Sequence, residues 1–141
     1  ARRLADAGVA AIDVAGAGGT SWSAVEGRIA RDPRRAALAE IYRDWGIPTA
    51  TALRGINQAL PQLPLIGSGG IRHGLDAAKA IRLGADLVGQ AGPLLRAAIE
   101  GIDPLMAHFA LLEQALRVAC FATGSRNLAA LRQARLLEPA A

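Results

Sequence analysis

The chain has 141 residues, 52% of them hydrophobic and 4% aromatic, with a formal charge of +4. That is one domain's length, enough for a real core, and the Ala- and Gly-rich composition suits helices packed on parallel strands. Lys79 is the only lysine, and the densest arginine group (Arg2, Arg3, Arg28, Arg31, Arg34, Arg35) is diluted by Glu26, Asp32 and Glu40, whereas a nucleic-acid surface needs a concentrated basic stripe with aromatic platforms.

Residues 1–7 read as the end of a helix stopped by Gly8. "VAAIDVAG" (9–16) is a short continuous apolar run, the pattern of a strand buried on both faces of a parallel sheet. "AGGTSW" (17–22) is a glycine-rich loop, and "AALAEIYRDWG" (36–46) has helical spacing and ends at Gly46. "IPTATAL" (47–53) is expected as the second strand and "GINQALPQL" (55–63) as a short helix broken before Pro61. "LPLIGS" (63–68) gives the third strand, "GGIRHG" its loop, and "LDAAKAIRLG" (75–84) a helix closed by Gly84. "ADLVGQA" (85–91) is the fourth strand, followed by a helix over 93–101 with Pro93 at its first position. A long helix is expected over 103–122, and a last amphipathic one from Asn127 to a frayed end.

Strand and helix alternate four times, which implies a parallel sheet with right-handed crossovers. Four such units make half of a (β/α)₈ barrel or the core of an open sheet. Glycine-rich ends follow the last two strands, and a short helix precedes the long one. That is where a TIM barrel commonly binds phosphate, so the half barrel, followed by C-terminal helices, is the expected fold. The chain is expected to form a single domain over residues 1–141.

Cys120 stands alone, which excludes a disulfide framework and a cysteine metal site, and His73 and His108 show no ligand spacing. The longest apolar run, "PLMAHFALLEQALRVACF", is interrupted by His, Glu, Gln and Arg, short of the ~18 apolar residues that mark a membrane span. With no signal peptide visible, a reduced, cytoplasmic location is the expectation, with no membrane or nucleic-acid partner. The chain opens "ARRLADAG" without an initiator methionine, which suggests a piece of something longer.

Gly69 and Gly70 follow the third strand without side chains to keep an anion off the backbone, so the N–H groups of Gly70, Ile71 and Arg72 are expected to point inward. Arg72 either clamps the phosphate or pairs with a carboxylate on the rim, and His73 is expected to face solvent. After the fourth strand, Ala91 and Gly92 precede Pro93, leaving the amides of a helix start to face an anion. Thr20, after two glycines, brings a hydroxyl from the end of the first strand. Trp22 walls the pocket or caps the core. Asp13 sits inside an apolar strand, where an unpaired carboxylate is costly, so it points outward or meets an arginine. No pair of carboxylates, nucleophile–base couple or metal cluster is visible, so the chemistry must come from a cofactor or from residues elsewhere.

"SGGIRHGLDAAKAIRLGADLVGQA" resembles the phosphate-binding segment of FMN-dependent barrels, a group that includes 2-hydroxyacid oxidases, glutamate synthases and, with IMP in place of flavin, IMP dehydrogenases. "IDVAGAGGTSWSAVEGR" narrows this, because it is similar to the type 2 isopentenyl diphosphate isomerases. In that family the Gly-Gly-Thr loop precedes the Gly-Ile-Arg turn by the interval that separates Thr20 from Gly70. The resemblance covers nearly the whole chain. It implies an FMN-dependent (β/α)₈ enzyme that interconverts isopentenyl and dimethylallyl diphosphate, with Mg²⁺ required and NADPH supplying the reduction. Thr20, Gly70, Ile71, Arg72, Ala91 and Gly92 would bind FMN, chiefly its phosphate. The flavin is thought to shuttle the proton, and the family suggests tetramers or octamers.

The family's Arg-Lys substrate motif, its flavin-contacting Asn and Ser, its Gln-Glu pair for substrate and Mg²⁺ and its flavin-facing Lys do not occur here. "RHG" and "QAGP" also depart slightly from the family's wording. The chain therefore looks like the C-terminal half, barrel strands five to eight. A TIM barrel needs about 250 residues and half of one leaves strand edges open, so this chain alone is expected to fold poorly or self-associate and not to catalyse. The alternatives are another FMN barrel, such as a 2-hydroxyacid oxidase, or a non-catalytic phosphate-binding half-barrel. An oxidase would place a catalytic His and Arg before the phosphate motif, where residues 47–63 offer only Arg54.

Overall fold

Three parallel strands carry the fold: β1 (Ile12–Ala15), β2 (Leu65–Ser68) and β3 (Leu87–Val88), in that order across the sheet. The computed structural model describes residues 1–137. β1 pairs with β2 from Ile12–Leu65 to Ala15–Ser68, and β2 pairs with β3 at Ile66–Leu87 and Gly67–Val88. Around them lie α1 (Arg2–Asp6), α2 (Trp22–Ile29), α3 (Pro33–Ile41), α4 (Thr49–Ala59), α5 (Gly74–Arg82), α6 (Gly92–Glu100), α7 (Ile102–Ala122) and α8 (Leu128–Leu131). The frayed end expected after the last helix falls on residues 138–141, outside the described residues.

Side chains alternate across a strand, and the burial follows that alternation. Val14, Leu65 and Gly67 are buried on the face that meets α4 and α5, where Leu53, Ile71, Ala77, Ala80 and Ala85 complete the core. Gly67 permits the close approach: a Cβ there would lie 3.0 Å from the Ala85 Cβ and 3.2 Å from the Leu53 Cδ1. Asp13, Ala15, Ile66 and Ser68 take the opposite, inner face of the arc. The strand ends that carry the glycine loops therefore all emerge on one rim.

The expected second strand over 47–53 does not form. Thr49–Ala59 is helix α4, and only an isolated bridge between Ala17 and Pro48 remains. Leu53 is 1% exposed, with Ala52 and Ile56 packed against the same core, so the i, i+3 spacing of a helix face outweighs the local β-propensity of Ile and Thr. The four strand–helix units thus become three, and β1 lies directly beside β2. The half-barrel reading stands with one strand fewer. The strands expected over 9–16 and 85–91 also shorten to their cores, Ile12–Ala15 and Leu87–Val88.

α2 forms where no helix was expected, and the helix expected over 36–46 is α3, which starts earlier, at Pro33, and stops at Ile41, short of Gly46. Ser21 caps α2 by accepting from the Ala24 amide at 3.2 Å, and Asp32 caps α3 by accepting from the Arg34 amide at 2.9 Å, with Pro33 in the first turn. The expected helices at the C-terminal end are present, with Gly84 (φ 114°) closing α5 and Pro93 in the first turn of α6. The last is only Leu128–Leu131, capped by Asn127, which accepts from the Ala130 amide at 2.8 Å. Arg132 then reaches the Asp86 carboxylate at 2.7 Å and the Ala85 carbonyl at 2.9 Å, fixing the chain beneath β3.

α7 is long and apolar enough to cross a membrane by length and composition, with a mean hydropathy of 1.3 over its 18-residue window. The sequence reading excluded this because of the polar residues along the run. In the fold α7 packs on α5 and α6, and its exposed side carries a Glu113–Arg117 ion pair. Gly74, at the start of α5, makes the contact tight: a Cβ there would lie 2.5 Å from the Leu116 amide nitrogen and 2.7 Å from the Ala115 Cβ.

Candidate functional site

Three loops leave the carboxyl ends of β1, β2 and β3 and enclose a cavity of about 580 Å³. All six residues expected at the site, Thr20, Gly70, Ile71, Arg72, Ala91 and Gly92, line it. The two loops on which the reading depended, carrying Thr20 and Gly70, are on one rim.

The first two loops meet main chain to main chain. A Cβ added at Gly70 would run into the Gly18 carbonyl, and one at Gly19 would lie 2.9 Å from the Gly70 amide nitrogen. Gly69 and Gly70 both have positive φ, 80° and 89°, so consecutive glycines are needed for conformation as well as for space. The Thr49 hydroxyl donates to the Gly69 carbonyl at 2.6 Å and pins this loop from the start of α4. Ile71 is 7% exposed and anchors its loop in the core. Among the described residues, the amides of Gly70 and Ile71 find no acceptor, which leaves two donors for an anion on a loop that lines the cavity.

Arg72 resolves one open alternative. Its Nε donates to the Asp76 carboxylate at 3.0 Å, and its backbone amide donates to the same carboxylate at 3.2 Å. The Arg72 N–H expected to point inward is therefore already taken. Partial burial pushes the Asp76 carboxyl up, but hydrogen bonds from the Arg72 side chain and amide, with the positive charge of Arg72, outweigh it and hold Asp76 below the usual carboxylate range. His73, expected only to face solvent, is half-exposed and caps α5, its Nδ1 accepting from the Asp76 amide at 3.3 Å.

The third loop ends at α6, whose capping position, Ala91, offers no side-chain acceptor. A Cβ at Gly92 would meet nothing within 4 Å. In the first turn of this nine-residue helix Pro93 has no N–H and the Leu94 amide donates to the Ala91 carbonyl at 3.0 Å, so among the described residues the Gly92 amide is left open beside the cavity, where the helix dipole also favours negative charge.

Asp13 meets neither solvent alone nor an arginine: the Ser68 hydroxyl donates to its Oδ1 at 2.7 Å, and both residues line the cavity. Trp22 belongs to the wall, 76% exposed. It also borders a second hollow of about 740 Å³ on the far side of the 16–20 loop, with Tyr42 and Trp45. Sequence reasoning missed Thr49, Ser68, Asp76 and Gln90. Asp76 had a signal, an acidic residue in the first turn of a helix after a glycine loop; Thr49 was hidden by the strand assignment. Among the described residues, no cluster of His, Cys, Asp or Glu is arranged to hold a metal ion.

The sequence pattern of the FMN-dependent dehydrogenase family matches residues 1–138. The chain belongs to this family. Within it, the chain is 62% identical over 138 residues to an isopentenyl-diphosphate delta-isomerase of Stutzerimonas stutzeri and 57% identical over 136 residues to that of Cronobacter sakazakii, covering 98% and 96% of this chain. It spans about 40% of the length of these curated relatives. Among solved structures, a mandelate oxidase with an FMN adduct superposes with a TM-score of 0.71 at 27% identity, over 95% of this chain and 37% of the other. A GMP reductase of Trypanosoma brucei shares the fold alone, with a TM-score of 0.66 at 22% identity over 94% of this chain and 28% of the other.

Proposed function

We propose that this chain forms the FMN-phosphate-holding part of an isomerase that interconverts isopentenyl and dimethylallyl diphosphate. The reading is carried by one observation: in a chain 62% identical to such an isomerase, the Gly-Gly-Thr and Gly-Gly-Ile-Arg loops close on one cavity walled by backbone.

The residues fit the group. A phosphate monoester dianion needs convergent donors in a space free of side chains, and the glycines leave that space while the amides of Gly70, Ile71 and Gly92 supply donors. Thr20 adds a hydroxyl, and Ala91 and Gly92 admit the anion close to the helix axis. Arg72 contributes charge at the rim while its carboxylate partner keeps it in place. Reduced FMN, when bound, would supply the group that moves the proton in the allylic shift.

Mg²⁺ on the diphosphate and NADPH as the source of reduction belong to the same reading, as do a cytoplasmic location and a homo-oligomer, tetramer or octamer. The substrate and Mg²⁺ ligands are proposed to lie outside this chain, since it carries neither the Arg-Lys nor the Gln-Glu motif of the family. A 2-hydroxyacid oxidase is disfavoured, because no histidine precedes the phosphate loop within residues 47–63.

Titrating FMN with the purified chain, followed by flavin fluorescence, tests the reading, with riboflavin as the control that lacks the phosphate. FMN is expected to bind at least about tenfold more tightly, the worth of one or two charge-assisted hydrogen bonds. Equal affinity for the two flavins, or no binding of FMN by a preparation whose circular dichroism and sedimentation show a folded, dispersed chain, overturns it. With reduced FMN, Mg²⁺ and NADPH the chain alone is expected to give no isomerisation; robust turnover would contradict the division of labour.

A further inference from the structure

The loop after β3 is held from an unexpected direction. Gln90, two residues before Gly92, lines the cavity and also reaches α7, where its Oε1 lies 3.1 Å from the His108 Nε2. With the ring proton on Nε2, the imidazole donates to the amide oxygen. The Gln90 Nε2 is fully buried and has no partner among the described residues, an arrangement that costs stability relative to an apolar side chain of the same size. Packing alone does not account for a glutamine here.

α7 touches the second phosphate loop as well. His108 and Leu112 lie four residues apart on α7 and so share one face. Leu112, Ala115 and Leu116 press on Gly74, directly after the Gly69–His73 loop. One face of one helix therefore bears on both loops that contribute amides: through the Gly74 contact on one, and through the His108–Gln90 hydrogen bond on the other.

We propose that His108 is a positioning residue for the anion site, fixing through Gln90 the distance between the amides at Gly92 and those at Gly70 and Ile71. It touches neither the cavity nor the ligand. The inference rests on reading the cavity as the FMN-phosphate site, and it adds the means by which the two loops are kept in step.

The test is a double-mutant cycle on the chain with Gln90→Leu and His108→Leu, read in two ways. The first is FMN affinity by flavin fluorescence, with ³¹P NMR of the bound phosphate. The second, which needs no ligand, is amide exchange and chemical shift at Ala91 and Gly92. Each single variant is expected to weaken FMN about tenfold, with the double variant no worse than either. The double variant should keep or raise the urea midpoint, since a buried polar pair is replaced by apolar groups. His108→Gln, which retains a donor, should recover part of the affinity. Unchanged amides at 91–92 in the single variants overturn the proposal, as do affinity losses that simply add. Failure of the parent chain to bind FMN removes the functional reading, while the amide readout still decides whether residue 108 positions the loop.

Discussion

A Cβ added at Gly19 would lie 2.9 Å from the amide nitrogen of Gly70, so the loops after β1 and β2 touch through their main chains. This contact leaves Thr20, Gly70 and Ile71 lining one cavity. It also means that the site is sensitive to changes that add a single carbon atom, while the surrounding surface is not.

Gly70→Ala should be among the most damaging single changes. At φ 89° any side chain is strained, by about 1–2 kcal/mol, and the added carbon runs into the Gly18 carbonyl. Together with overpacking, a loss of about 2–4 kcal/mol in urea unfolding is expected, with FMN binding abolished.

Two other glycines make a pair of opposite sign. Gly74→Ala places a carbon 2.5 Å from the Leu116 amide nitrogen and forces α5 and α7 apart, at a cost of about 1–3 kcal/mol. Gly55→Ala, in the exposed interior of α4 with nothing within 4 Å, should stabilise by about 0.5–1 kcal/mol. Both would be measured by thermal or urea midpoints; shifts in the same direction would contradict the packing described.

Leu53→Ala tests the helix that replaced the expected strand. Leu53 is 1% exposed at the centre of the main core, and truncation of such a leucine costs about 2–5 kcal/mol. A strand over 47–53 would instead make the Ala52 and Leu53 positions face opposite sides. Helical signals for residues 49–59 in an NMR assignment would settle the matter independently.

The Arg72–Asp76 contact predicts an acid limb. Asp76 titrates below its ordinary value in the folded chain, so its contribution to stability is complete above the unfolded carboxyl value of about 3.9. That contribution is lost as the pH falls through the lower native value. Asp76→Asn should flatten this limb of stability against pH and loosen the Gly70–Arg72 loop, seen as faster amide exchange at Ile71 and Arg72. An unchanged acid limb would show that another carboxylate is responsible.

Much of the site was legible because its information is local. Each loop of the cavity is a strand end followed by residues that forgo side chains, and Gly69–Gly70, Gly18–Gly19 and Gly92–Pro93 announce it without tertiary context. Pro93 and Gly84 likewise mark α6 and α5. The errors came where a local preference met a longer-range demand. Ile47, Thr49 and Thr51 favour a strand, yet Ala52, Leu53 and Ile56 must reach one core from one side, which requires a helix. The partners of Asp13 and Gln90 were out of reach for a different reason: Ser68 lies 55 positions away and His108 lies 18 away, and only the sheet register and the placement of α7 join them.

Where the loops after β1 and β2 meet, the wall of the cavity is built from peptide groups, and peptide groups are the same in every protein. Exchanging one side chain for another around it leaves these backbone donors unaltered, so the ligand class should persist while the neighbouring surface drifts. Only the arrival of a methyl group at Gly19 or Gly70, or a shift of the elements that hold the loops apart, rewrites what the pocket accepts. Efforts to retune this chain would therefore do better to work on Thr49, Gln90 and His108 than on the rim.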